Sequence, residues 1–116
     1  MIKGKIYEDL AVKFLKENRF KIIERNFRCR FGEIDIIAKE KNILCFIEVK
    51  KRKGNSLVKS YEAVDKRKRE KILKTSLFYL NQCKEKFSNV RYDVVCLEEK
   101  NGKILLDLIK GAFCFD

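Results

Sequence analysis

The chain has 116 residues, 46% hydrophobic and 39% charged, with 28 Lys and Arg against 17 Asp and Glu, a net charge of +11. The length suits one domain spanning 1–116, and nine Phe with four Tyr supply a core, which excludes a disordered tail. Histidine is absent, which excludes Ser-His-Asp triads, imidazole acid–base chemistry and His-ligated zinc.

From Lys5 to Asn18 the apolar residues Tyr7, Leu10, Ala11, Phe14 and Leu15 fall at helical spacing and predict an amphipathic helix. Phe20 to Glu24 reads as a short strand. Gly32–Lys39 and Ile43–Lys51 are β-rich runs joined by the short polar stretch Glu40-Lys41-Asn42, which predicts a hairpin. Lys53-Gly54-Asn55-Ser56 reads as a loop, and a long helix is expected from Ser60 to Lys86. Asn89–Leu97 and Lys103–Ile109 read as two closing strands around a turn at Asn101-Gly102, and the apolar tail from Ala112 to Phe115 is expected to pack back on the core. The order α-β-β-β-α-β-β predicts an α/β fold, the long helix serving as a right-handed crossover.

No stretch approaches the ~20 apolar residues of a membrane span, and Met1 to Lys5 shows no signal-like apolar run, so a cytoplasmic protein with no membrane partner is expected. Five scattered cysteines, none at C-x-x-C spacing, read as reduced core residues.

The chemistry concentrates in Gly32-Glu33-Ile34-Asp35-Ile36-Ile37-Ala38 and Cys45-Phe46-Ile47-Glu48-Val49-Lys50. Side chains alternate along a strand, so Glu48 and Lys50 share one side while Ile47 and Val49 take the other. The hairpin can bring Asp35 alongside. Two carboxylates, with the Val49 carbonyl, suit Mg²⁺ or Mn²⁺, and a lysine beside them suits a scissile phosphate. The plainer alternative is an exposed aspartate beside an ordinary ion pair, worth at most about 1 kcal/mol. Glu8, at the edge of the first helix's apolar stripe, is a further candidate acid. The charge excess favours a polyanionic partner. Lys66, Arg67, Lys68 and Arg69, with Lys71 and Lys74, are candidate backbone contacts, joined by Arg25, Arg28 and Arg30 and by Lys51, Arg52 and Lys53. Phe27 and Phe31, between arginines, could stack on bases, but core packing is the expected use. Gly54 to Ser60 only faintly resembles a phosphate loop, lacking its second glycine, and no nucleotide hydrolysis is predicted.

The string from Asn26 to Ala38, followed by Phe46-Ile47-Glu48-Val49-Lys50, closely resembles the YraN-type family of endonuclease-like bacterial proteins. The likeness extends to Glu8, to Ala63-Val64-Asp65 with Lys66 and Lys68-Arg69, and to Arg91-Tyr92-Asp93-Val94-Val95. Lys51 stands where that family often has threonine. The family is similar to the PD-(D/E)xK nucleases, especially archaeal Holliday-junction resolvases. The resemblance implies a restriction-endonuclease-like mixed sheet flanked by helices, Asp35 and Glu48 as metal ligands, Lys50 as catalytic lysine and Glu8 as accessory acid. It also implies a DNA substrate (RNA being the alternative partner) and is compatible with a homodimer. A catalytically silent nucleic-acid-binding module is the competing expectation.

Overall fold

The computed structural model describes residues 2–53 and 65–115. Its elements run α1 (Ile2–Glu17), β1 (Lys21–Cys29), β2 (Gly32–Glu40), β3 (Ile43–Lys53), α2 (Lys66–Gln82), β4 (Asn89–Lys100) and β5 (Lys103–Phe113). This is the expected α-β-β-β-α-β-β order. The five strands form one mixed sheet in chain order. β3 pairs with β4 in parallel and the other neighbours are antiparallel. A parallel pair requires a long connection, and α2 lies within it.

Strand alternation builds a core on each face of the sheet. Ile36, Ala38, Cys45, Ile47, Val95 and Leu97 pack under Ala11, Val12 and Leu15 of α1. Ile37, Leu44 and Phe46 face the other way, against Phe78, Tyr79 and Leu80 of α2. α1 stops where Arg19 takes a positive φ of 69°. The Arg19 N–H then bonds the Lys16 carbonyl at 3.2 Å and the Phe20 N–H the Leu15 carbonyl at 3.0 Å. That pairing is a Schellman cap, and Phe20, buried at its end, supplies the accompanying apolar contact. An L-residue in this conformation is strained, so Arg19→Gly is expected to stabilise the fold by about 0.5–1 kcal/mol. In urea titrations the midpoint should rise with the slope unchanged.

Several boundaries depart from the sequence reading, and Lys53, read as loop, closes β3. β1 continues to Cys29, well past Glu24, because it is an edge strand whose exposed, charged residues carry little apolar alternation. α2 ends at Gln82, short of Lys86, and begins at Lys66. There Asp65 caps it by accepting the Lys68 N–H at 2.9 Å. Residues 60–64 of the expected helix, and Gly54 to Ser60 with them, lie outside the described residues. β5 extends through Phe113, so much of the apolar tail is strand. Phe113 is stacked on Tyr92 at 5.6 Å, and Phe115 meets Tyr92 edge-on at 4.8 Å. Phe27, buried in the core, and Phe31, half-buried, pack against Phe78 at 6.3 and 6.2 Å.

A partly buried ion network ties β4 to β2 and β5. Asp93 is fully buried and accepts from Arg91 Nε at 2.8 Å and a guanidinium NH2 at 2.9 Å, and from the Gly111 N–H at 2.9 Å. Glu40 joins Arg91 to Lys110, at 2.9 and 2.6 Å. The Arg91 pKa is raised, chiefly by its hydrogen bonds to Asp93. Cys45, beside Arg91, is pushed up to about 12 by burial, so it is an unreactive core thiol.

Candidate active site

The pairing of β2 with β3 runs from Glu40↔Ile43 to Ile36↔Ile47. One step beyond, the Asp35 carboxylate accepts the Val49 N–H at 2.8 Å, taking up a donor that pairing no longer serves. β2 also turns over here: Ile36 packs on the α1 side, whereas Ile34 joins the α2-side cluster. β1 does the same across Asn26, whose φ is 54°, for Arg25 reaches acids of α1 and Phe27 packs on α2. The local distortion opens the sheet at the position that Asp35 occupies.

Glu48 lies on the α2 face and is only 2% exposed. Its Oε2 is 3.4 Å from the Lys68 ammonium. Its Oε1 is buried and has no hydrogen-bond partner among the described residues. Burial, with Asp35 as a like charge and against the pull of Lys68, pushes the Glu48 pKa up to about 8. Asp35 is also raised, by burial, against the Val49 N–H and Lys68. Lys50 is lowered by burial and by the neighbouring Lys68, against the attraction of Glu48 and Asp35. Burial works against charge on Lys68 too, but Glu48, Lys50 and Asp35 raise its pKa on balance. Asp35, Glu48, Lys50 and Lys68 thus form one interacting set, two acids and two ammonium groups.

Glu8 stands close enough to Asp35 to raise its pKa. Its Oε1, however, is taken by Arg25 Nε at 3.0 Å and Asn26 Nδ2 at 2.9 Å. Arg25 also binds Asp9 at 2.6 Å, so its charge is met by two acids of α1. Of the other basic candidates, Arg28 pairs with Glu33 at 3.3 Å and Arg30 lies over the Phe31 ring at 4.9 Å. Lys66 is exposed at the start of α2, Arg69 sits 5.7 Å from the Phe113 ring centroid, and Arg52 is half-buried in β3. Lys68 of this group reaches Glu48. The sequence carried a signal for it: Lys68 precedes Ile72 by four residues and Thr75 by seven, on the buried stripe of α2. Asn26 was singled out by nothing except its place in the resemblance.

Among the described residues no three Asp, Glu, His or Cys side chains converge. The oxygen donors on offer are therefore the Asp35 and Glu48 carboxylates and the backbone. In an extended strand the N–H and C=O of a residue face the same neighbour, so the Val49 carbonyl is directed to the side where its N–H meets Asp35.

With this geometry established, similarity to known proteins is informative. The pattern of the uncharacterised protein family UPF0102 matches residues 7–97. A UPF0102 protein of Acetivibrio thermocellus is 46% identical over 118 residues, covering 95% of this chain and 89% of its own. One from Syntrophus aciditrophicus is 42% identical over 110 residues, with 95% and 87% covered, and one from Persephonella marina is 40% identical over 115, with 99% and 96% covered. The matched span takes in most of α1, the hairpin that bears Asp35 and Glu48, α2 and most of β4, so the chain belongs to the UPF0102, or YraN, family.

Proposed function

We propose that this protein is a Mg²⁺- or Mn²⁺-dependent DNA endonuclease of the PD-(D/E)xK type that acts on branched or recombining DNA. The observation that carries the reading is the buried Oε1 of Glu48, unpartnered among the described residues, beside Asp35. A carboxylate oxygen deprived of both water and a donor is costly unless a cation meets it. Asp35, Glu48 and the Val49 carbonyl fit a hard cation that keeps several waters and is usually held by one or two carboxylates. Such an ion, when bound, supplies a Lewis acid and a more acidic water.

The protein's own residues do the rest. The Val49 N–H holds the Asp35 carboxylate in one orientation. Lys50 offsets charge that builds on the scissile phosphate. Glu8, held by Arg25 and Asn26, adds negative potential beside Asp35. Arg28, Arg30, Arg52, Lys66, Lys68 and Arg69 supply contacts to the DNA backbone. Among the described residues no helix is long and apolar enough to cross a membrane. A homodimer would suit cutting of two strands.

The test is incubation of branched and linear DNA with Mn²⁺, comparing wild type with Glu48→Ala. Cleavage by wild type alone, faster on branched DNA, is expected. Equal cutting by both proteins, or none by either, ends the enzyme reading. A second reading, a non-catalytic nucleic-acid-binding module, is favoured by the Lys68–Glu48 pair, which gives the acids an internal counter-charge. It expects salt-sensitive binding that needs no metal and survives Asp35→Ala.

A further inference from the structure

Lys68 occupies an unusual position for a residue of a basic helix. Its backbone N–H is fixed by the Asp65 cap at 2.9 Å, yet its side chain crosses to β3 and ends 3.4 Å from Glu48 Oε2. Charge-assisted hydrogen bonds are usually ~2.7–2.9 Å, so this contact is a loose one. Glu48 is almost fully enclosed, at 3% side-chain exposure, whereas Lys68 is 44% exposed. The carboxylate cannot leave; the ammonium, on a flexible four-carbon stem, can. Where it can go is defined by the other surface it lines. A groove of about 580 Å³ lies between the start of β2 at Gly32 and the first turns of α2. Arg67 and Lys71 line it with Lys68 and outnumber the two acids there, Glu33, which pairs with Arg28, and Asp65, which is engaged as the helix cap. Lys68 is the lining residue that also touches an acid of the candidate centre.

We propose that Lys68 is a displaceable partner of Glu48: it holds that carboxyl group in the cation-free protein, gives way to a divalent cation there, and on release binds a DNA backbone phosphate in the groove lined by Arg67 and Lys71. This rests on the cation-binding reading above. It makes DNA affinity depend on occupancy of the acids, because the same ammonium group cannot serve Glu48 and a phosphate together. It also separates the two lysines. Lys50, on the strand that carries Glu48, stays with the acids, while Lys68 joins them to the DNA track.

The experiment is calorimetric titration of Mn²⁺ into wild type, Lys68→Gln and Lys66→Gln. Lys66 is exposed on the same helix, so its variant makes the same change in net charge. Lys68→Gln should bind Mn²⁺ about tenfold more tightly, since no charge-assisted contact has to be broken first. Lys66→Gln should change affinity by less than about twofold, as screening predicts. Binding of branched DNA then gives a second readout. Lys68→Gln should weaken it with Ca²⁺ present and leave it nearly unchanged in chelator. Equal Mn²⁺ affinity in wild type and Lys68→Gln, or equal tightening in both variants, overturns the role given to Lys68 and leaves the cation reading standing. Absence of Mn²⁺ binding in wild type and Lys68→Gln alike overturns both.

Discussion

Glu48→Gln is expected to lower Mn²⁺-dependent cleavage by about 10³-fold or more while raising the stability of the cation-free protein at alkaline pH. The activity loss follows from removing a ligand and its charge, a larger change than loss of one preorganised donor, which costs ~10²–10³. The stability gain follows from linkage. Glu48 ionises near 4.5 when unfolded and at about 8 in the fold. Between those values the folded state holds a proton that the unfolded state has lost, so stability falls as pH rises through this window and levels off above it. Glutamine is a neutral isostere that carries no such slope. The variant and wild type should be nearly equal below about pH 4.5 and diverge by a few kcal/mol by about pH 9. Urea titrations across this range measure it, and parallel pH dependences for the two proteins would refute the assignment. Opposite effects on activity and stability are what a site held at a cost to the fold should show.

The second large effect concerns Asp93. Removing one partner from a buried, hydrogen-bonded ion pair costs ~3–5 kcal/mol, because the other charge is left uncompensated. Asp93→Ala removes the two hydrogen bonds that Arg91 makes to it, leaving that guanidinium the Glu40 carboxylate, and also frees the Gly111 N–H. Pairing of β4 with β5 shifts register between Tyr92 and Val94, so Asp93 is the side chain that closes this irregularity. A fall in Tm of about 12–20 °C is expected by calorimetry. Replacing both Arg91 and Asp93 with apolar residues should recover part of the loss, since no orphaned charge remains. A single-variant loss below about 1 kcal/mol would show that the network is worth no more than a surface pair.

The acid pair was legible in the sequence because two short-range rules sufficed to place it. Alternation put Glu48 and Lys50 on one side, and the short turn around Lys41 fixed Glu40 opposite Ile43, from which Asp35 and Glu48 follow by counting. The helix–strand order was legible for the same reason. What needed the fold was everything set by packing between distant segments. Lys68 looked like one of four basic neighbours until the docking of α2 pointed it at β3. Arg25 looked like surface charge until α1 brought Glu8 and Asp9 to it. Arg91 and Asp93 were noticed only through resemblance, and their role depends on a β5 backbone group 18 residues away from Asp93. The polar edge strand β1 was underestimated because exposure on a sheet edge suppresses the apolar alternation that reveals a strand.

The topology also dictates an order of assembly. Asp35 and Glu48 sit on a hairpin whose contacts are local, whereas β3 and β4 can pair only after the connection containing α2 has closed. Early in folding, then, the two acids are still bathed in solvent and repel each other only weakly. Their dehydration is deferred until α2 docks, and the same docking event delivers the ammonium group that offsets it.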